Sequence, residues 1–305
     1  MSKKILVVGS TNTDMVIKAT HLPNPGETII GGTFLMNAGG KGANQAVAAA
    51  RLDAEVLFIC KTGNDIFGQQ SKQLFAKERI DTTYVFSDMK HPSGVALINV
   101  DSKGENCIVV ASGANAYLLP ADLANAVDAI DQSDIVLMQL EIPIETIEYV
   151  VSIAQAKGKT VILNPAPAQS LSKSLLKCVS ILTPNETEAS MISGVQVKDT
   201  ESACEAARVI CSMGVQTVII TLGAKGALIY TDEFQEEIPV EKVEVVDTTA
   251  AGDVFNGALA VALSENRNIT DAVRFACDAA SISVTRIGAQ ASAPYRKELY
   301  KQNNY

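Results

Sequence analysis

Histidine is scarce in this sequence: His21 and His91 are the only two, and no H-E-x-x-H pair occurs. That sets aside a catalytic zinc site, because such sites draw on histidine ligands. The six cysteines, Cys60, Cys107, Cys178, Cys204, Cys211 and Cys277, are scattered and never form C-x-x-C. Most have apolar neighbours, as in Leu57-Phe-Ile-Cys60, and read as small buried hydrophobes in a reducing compartment. Positive charge is short as well. Lys plus Arg number 25 against 34 Asp plus Glu, a formal net charge of -9, which excludes broad attraction to nucleic acid or an anionic membrane. A phosphate-bearing substrate must therefore be met locally, by backbone N–H groups, a few basic residues and a divalent cation.

No apolar stretch reaches membrane-spanning length, and the leading Met-Ser-Lys-Lys runs into a strand pattern too short for a signal segment. The expected location is cytoplasmic, with neither nucleic acid nor membrane as partner. A Walker A loop is missing too, since Lys41 is followed by Gly42 rather than Ser or Thr, and no G-x-G-x-x-G fingerprint occurs.

What is present is an ordinary globular balance, 47% hydrophobic and 19% charged, which argues against long disordered tracts. At 305 residues the chain sits near the size where one core stops growing, so one large domain with a small appended part is expected. Apolar, β-rich runs fall at 5–8, 56–60, 135–140, 160–163, 181–183, 217–221 and 227–230. Helical periodicity marks 43–51, 67–78, 121–130, 144–156, 202–213, 254–263 and 271–286. Alternating continuous apolar strands with helices predicts an α/β fold, a mainly parallel sheet covered on both faces. Residues 15–36 and 92–111 break the rhythm. The second holds two strands around Asp101-Ser-Lys-Gly-Glu105, a hairpin signal. Both are read as one small β-sheet built from separated insertions; a hairpin on the edge of the main sheet fits the pattern nearly as well.

The segment Asp247-Thr-Thr-Ala-Ala-Gly-Asp253 carries the clearest chemistry. A strand is expected to end near Val246, small residues make a turn, and an apolar helix follows. Backbone N–H groups from Ala250 to Asp253 would form an anion site strengthened by the helix dipole. A carboxylate there could take a proton from an alcohol while the same amides hold the phosphoryl group it attacks. Asp253 could equally be a helix N-cap and nothing more. In Gly39-Gly-Lys-Gly-Ala-Asn44 the glycines allow close backbone approach, to a ligand or merely to a packing neighbour. Further polar groups follow strands, where open α/β sheets place ligands: Asn12 and Asp14, Glu141, Asn164, Asn185 with Glu186 and Glu188, and the 221–226 turn.

These segments together, with Asn164-Pro-Ala-Pro-Ala168, Thr183-Pro-Asn-Glu-Thr-Glu188 and Arg286-Ile-Gly-Ala-Gln-Ala-Ser292, resemble the ribokinase/PfkB carbohydrate-kinase family in order and spacing along nearly the whole chain. The resemblance implies one ribokinase-like three-layer α/β/α domain over 1–305, with a β-sheet lid from 15–36 and 92–111 through which two copies clasp as a homodimer. It implies transfer of the ATP γ-phosphate to the O5 hydroxyl of D-ribose, with Asp253 as base and the amides of Ala250, Ala251 and Gly252 as anion hole. Asn12, Asp14, Gly40, Lys41, Gly42, Ala43, Asn44 and Glu141 would hold the sugar, together with Asp253. Asn185, Thr221, Leu222, Gly223, Ala224, Lys225 and Gly226 would hold ATP, with Gly252, Asp253 and Cys277. Relatives often carry a polar residue where Cys277 stands. Glu188 would organise Mg²⁺ through water. Asp247, Thr249 and Ser292, with the carbonyls of Ser283, Arg286 and Gly288, match a monovalent-cation site, usually for K⁺. Two other readings stay open: a kinase for another small sugar or a nucleoside, and a catalytically silent sugar-binding paralogue.

Overall fold

The computed structural model describes residues 4–302; the leading Met-Ser-Lys, read above as carrying no signal segment, lies outside them. Its strands are β1 (Lys4–Val8), β2 (Asn12–Lys18), β3 (Thr33–Gly39), β4 (Glu55–Gly63), β5 (Val85–Asp88), β6 (Gly94–Val100) and β7 (Asn106–Ala111). Then come β8 (Ile135–Met138), β9 (Thr160–Leu163), β10 (Ile181–Leu182), β11 (Thr217–Thr221), β12 (Ala227–Thr231) and β13 (Gln235–Ile238). The helices are α1 (Lys41–Arg51), α2 (Ile66–Lys77), α3 (Pro120–Leu123), α4 (Val127–Gln132), α5 (Ile144–Ala156) and α6 (Lys173–Leu176). The rest are α7 (Glu186–Ser193), α8 (Thr200–Ser212), α9 (Ala251–Ser264), α10 (Ile269–Ser283) and α11 (Arg296–Gln302).

The large sheet runs β13-β12-β11-β10-β9-β8-β1-β4-β5 and is parallel from β5 to β11, with β12 and β13 antiparallel. Its central strands are apolar at nearly every position because both faces are covered. Ile5 and Val7 of β1 enter one core, with α1, α9 and α10; Leu6 and Val8 enter the other, with α5 and α8. Each such buried aliphatic side chain contributes about 1.5–3 kcal/mol. This is the expected three-layer α/β/α domain. Strand order reverses at β1, which has β4 on one side and β8 on the other, so a crevice opens at the carboxyl end of β1.

The small sheet is separate, ordered β3-β2-β6-β7, so the edge-hairpin alternative does not hold. It begins earlier and ends later than the irregular stretch at 15–36: β2 starts at Asn12 and β3 ends at Gly39.

Three expectations need correction. No strand leads into Asp247; residues 239–246 are irregular, and Val245 and Val246 are more than half exposed, at 57% and 54%. Their alternating pattern finds no strand partner, and Val246 instead donates its N–H to the Val284 carbonyl at 2.8 Å. The helix expected over 121–130 is two short ones, α3 and α4, interrupted between Leu123 and Val127. The strand expected to reach Leu140 ends at Met138, because Leu140 bonds to Ala166 rather than to a sheet neighbour.

Candidate active site

Helices α1 and α9 pack side by side through small residues. A Cβ on Gly257 would stand only 2.7 Å from the Gln45 carbonyl oxygen and 2.8 Å from the Ala48 Cβ, so the seam tolerates nothing larger. That approach sets the start of α1 against the start of α9. At α1 the chain enters through Gly40, whose φ of 89° only glycine holds without strain. Gly42 lies against the Gly9 backbone, where a Cβ would come within 2.7 Å. Both glycines thus answer to packing against the loop after β1.

Asp253 is not a helix N-cap. The cap position of α9 is Ala250, at φ 60° and ψ 13°, and Asp253 lies in the first turn. Its side chain turns away from its own helix: Oδ2 accepts from Asn44 Nδ2 at 2.9 Å and Oδ1 from Gln45 Nε2 at 3.0 Å. The carboxyl is 6% exposed. Burial pushes its pKa up, while Lys41, Asn44 and Gln45 pull it back. Among the described residues the amides of Ala250, Gly252 and Asp253 have no acceptor, whereas Ala251 donates to the Thr248 carbonyl at 3.2 Å. The free donors are therefore not quite the expected trio: the Asp253 amide is open and that of Ala251 is engaged. The left-handed Ala250 is a strained conformation for a residue with a Cβ, at the turn that presents these amides.

The polar residues expected to hold a sugar converge on this carboxylate. Asn12 and Asp14 stand two apart on β2, on one face of the small sheet. Asn12 Oδ1 accepts from Asn115 Nδ2 at 2.8 Å, which leaves its own N–H₂ group as the free end. Glu141 Oε2 accepts from the Ser10 hydroxyl at 2.5 Å and from the Lys41 amide at 3.0 Å, leaving Oε1 without a partner among the described residues. Burial alone would lower the Lys41 pKa, but the charges of Asp253, Glu141 and Glu188 outweigh it and hold the ammonium above its ordinary value. Asn44 Oδ1 is buried with no partner among the described residues. Ala43 is fully buried, and its amide donates to the Ser10 carbonyl at 2.9 Å. The result is a compact set of three carboxylates, one ammonium and several amides, suited to hydroxyl groups that both donate and accept.

Across Gly252 lies a cavity of about 520 Å³ between the 221–226 turn, α9 and α10. Thr221, Gly223, Ala224 and Gly226 line one side; Val243, Val245, Phe255, Cys277, Ala280 and Val284 give it an apolar wall. Burial pushes the Cys277 thiol up to about 12, so it is a neutral surface there. Leu222 points into the core and Lys225 is exposed, and neither lines the cavity. Asn185 is also outside its wall. Its Oδ1 accepts from the Glu188 amide at 2.8 Å while Glu188 Oε2 accepts from the Asn185 amide at 2.9 Å, a capping box starting α7. Glu188 is nonetheless buried, and burial raises its pKa against the opposing pull of that amide and Lys41.

Asp247 organises a third loop. Its Oδ1 accepts from the Thr249 amide at 2.9 Å and hydroxyl at 2.6 Å, and its Oδ2 from the Gly288 amide at 2.9 Å. These bonds hold its pKa down against burial. Ser283 receives the Arg286 amide on its carbonyl, and the Arg286 guanidinium pairs with Glu298 at 2.6 Å, so Arg286 offers the loop only its backbone. Ser292 is buried beside them. Arg51 anchors this end of the chain, donating to the carbonyls of Gln290 at 2.7 Å and Ala293 at 3.0 Å while paired with Glu78.

Residue-by-residue reading missed Ser10, Gln45, Asn115, Gln139 and Asn256. Each is a buried polar side chain facing the residues above. For Gln45, Gln139 and Asn256 the one signal is a polar residue inside an otherwise apolar or Ala-rich run; Ser10 and Asn115 carry no such signal.

A buried carboxylate at the start of a helix, with a hydroxyl-binding pocket on one side and a nucleotide-sized cavity on the other, defines a small-molecule phosphotransferase. The pfkB family carbohydrate kinase model matches residues 2–296, and the chain belongs to that family. It is 47% identical over 298 residues to the ribokinase of Haemophilus influenzae, covering 98% of this chain and 97% of that protein. It is 36% identical to the deoxyribokinase of Salmonella typhimurium, covering 95% of each. The Arabidopsis thaliana ribokinase structure, complexed with ribose and ATP, superposes with a TM-score of 0.95 at 33% identity over 100% of both chains.

The acid pair around Asp14 makes a stability prediction. Burial, then the charges of Glu141 and Asp253, push Asp14 from an ordinary 3.8 up to about 6. A folded value above the unfolded one means that the ionised carboxyl costs stability in full above about pH 6, and the cost fades as pH falls toward 3.8. Asp14→Asn should stabilise the ligand-free protein at neutral pH by about 1–2 kcal/mol after solvent screening is allowed for. Thermal melts across that pH range check this; identical melting temperatures at neutral pH would rule it out.

Proposed function

We propose that this protein is an ATP-dependent ribokinase, converting D-ribose to D-ribose 5-phosphate by phosphorylation at O5. The observation that carries the reading is the Asp253 carboxylate, buried, held on both oxygens, and placed where the hydroxyl-binding pocket meets the open amides of α9. Asn12, Asp14, Asn44 and Glu141 bind and orient the sugar, helped by Lys41 and the backbone of residues 40–43. Asp253 takes the proton of the O5 hydroxyl as that oxygen bonds to the γ-phosphorus and the bond to the ADP oxygen breaks. The amides of Ala250, Gly252 and Asp253 receive the charge on the transferring group. ATP lies in the 520 Å³ cavity, its base against the apolar wall with Cys277. Asn185 stands behind the wall residue Thr221, whose amide donates to the carbonyl of Pro184, the residue before Asn185, at 2.9 Å.

Magnesium and potassium belong to the same proposal. Glu188 keeps one oxygen unbonded among the described residues, which suits a water-mediated Mg²⁺ contact. The loop formed by Asp247, Thr249, Ser283, Arg286, Gly288 and Ser292 offers oxygen donors alone, which suits a hard monovalent cation such as K⁺; bound there, the cation steadies the turn at Ala250. The small sheet acts as a lid and as the interface of a homodimer. Ile17, Phe34, Leu97 and Val109 share one of its faces and stand between 44% and 63% exposed, an apolar patch that a second copy would cover. All six cysteines are free thiols, in keeping with a reducing cytoplasm; among the described residues no helix is long and apolar enough to cross a membrane.

In a Mg-ATP assay over ribose, deoxyribose, fructose and adenosine, ribose should give the highest kcat/KM, and K⁺ should outperform Na⁺. Preference for deoxyribose would move the substrate assignment to that of the 36% identical relative and leave the kinase assignment standing. No turnover of any of the four would point to a silent paralogue. Asp253→Asn should cut turnover on the order of 10²–10⁴-fold with ribose affinity largely kept; near-wild-type turnover would remove Asp253 from the base role.

Gly252 lies at an exposed helical position with nothing within 4 Å of an added Cβ. Gly252→Ala should therefore raise stability by about 0.5–1 kcal/mol while lowering kcat, because the methyl group enters the space kept for phosphate. Denaturation and turnover measured on one preparation separate the two effects, and a stabilised variant of full activity contradicts the phosphate placement. Leu97→Glu should convert a dimer to monomers on sedimentation; an unchanged species would place the interface elsewhere.

A further inference from the structure

The bond from Gln45 to Asp253 is one link of a longer buried chain. Its direction can be read from a fixed end, the Thr183 backbone carbonyl. That carbonyl accepts from Asn164 Nδ2 at 3.1 Å, so Asn164 Oδ1 faces the other way. Asn164 Oδ1 in turn accepts from Gln45 Nε2 at 3.2 Å. The same nitrogen donates to Asp253 Oδ1 at 3.0 Å, using both of its hydrogens. Gln45 Oε1 is left to accept from Gln139 Nε2 at 2.6 Å. Turning the Gln45 amide over would set its oxygen against two other oxygens, those of Asp253 and Asn164. Only one arrangement of the three amides is free of that repulsion.

Gln139 shows what the arrangement costs. It is fully buried and its Oε1 has no partner among the described residues. An orphaned amide oxygen is unfavourable, and a hydrocarbon side chain of similar shape would avoid it. Room for that oxygen exists only because residue 9 is glycine: a Cβ there would collide with it. The other end of the same amide supplies the N–H that Gln45 needs. The network also closes on the main chain beside the carboxylate. The Thr183 hydroxyl donates to Asn256 Oδ1 at 2.6 Å, and Asn256 Nδ2 donates to the Gly252 carbonyl at 2.8 Å.

We infer that Gln45, oriented by Gln139, is a positioning residue for catalysis: the pair forms a buried amide relay that fixes the Asp253 carboxylate and supplies, among the described residues, the only donor to its Oδ1. This rests on Asp253 as the base. Gln45 is fully buried and its amide is spent on Asp253, Asn164 and Gln139, so it has no group left for the sugar. Its loss should therefore act on the base and not on sugar binding. Without the Gln45 N–H the charged form of Asp253 loses a donor, so its protonation moves to higher pH, and the freed carboxylate is less well aimed.

The test is the pH dependence of kcat and of kcat/KM for ribose, from about pH 5 to about pH 9, in wild type, Gln45→Met, Gln139→Met and Asp253→Asn. Gln45→Met should lower kcat by about 10–100-fold and move the acid limb up by about one pH unit, with ribose KM changed less than about threefold. Gln139→Met should move the limb the same way by less, and it carries the test if Gln45→Met does not fold, since it never touches Asp253. A lowered kcat with the acid limb unmoved in both variants is what a merely structural role gives, and it would overturn the relay. Asp253→Asn separates the two levels. If that variant loses turnover by about 10²-fold or more and the limb is unmoved in both glutamine variants, the relay alone is wrong; if it keeps near-wild-type turnover, the base assignment is wrong and the relay goes with it.

Discussion

A carboxylate as deeply buried as Asp253 must be given hydrogen-bond donors or it will hold its proton and be useless as a base. Much of the architecture answers that requirement. The donors come from Asn44 and Gln45 on α1, so α1 and α9 must approach closely, and the Gly257–Ala48 seam makes that approach. Helix α1 must also begin in a fixed place, which Gly40 and Gly42 secure against the loop after β1. That loop leaves the sheet at the strand where the order reverses. The main sheet, the small sheet's first strand and Asp253 are thus linked through α1 and the loop after β1. Disturbing the helix seam would move Asp253 and the polar side chains around it together.

The sequence told some of this and concealed the rest, for physical reasons. The central strands were legible because strands covered on both faces are apolar almost throughout, as in residues 5–8 and 161–163. The 247–253 segment was legible because small residues followed by Asp253 and an apolar helix admit few conformations. What could not be read is which side chains meet. Gln45 sits in an Ala-rich helix and Gln139 at a strand end, and their polarity there does not say what they meet. Their partners lie 208 and 94 residues away. The strand expected near Val246 failed for a related reason. Alternation in Val243-Glu-Val-Val246 resembles a strand, but pairing needs a neighbour, and the main sheet already ends at β13. The helix start was also missed by a turn, because Ala250 in the left-handed region is not a conformation that alanine advertises.

The two halves of the site solve opposite problems with the same net-acidic chain. A polyol needs acceptors and donors in a fixed pattern, so carboxylates serve it, and their mutual repulsion is tolerated where Asp14 shows it most. A polyphosphate needs the reverse, and acidic side chains near it would oppose binding. The cavity side lines most of its wall with apolar residues, Glu241 and Lys242 excepted, and presents the open backbone amides at the start of α9. The boundary between these regimes falls between two adjacent residues. Gly252 contributes only its backbone and faces open space, while Asp253 faces inward and is tied to α1. A side chain at residue 252 would intrude on the phosphate, and a carboxylate turned toward the cavity would repel it. In the proposed reaction the Gly-Asp order therefore puts neutral backbone toward the phosphate and charge toward the alcohol, within reach of the single bond that has to form.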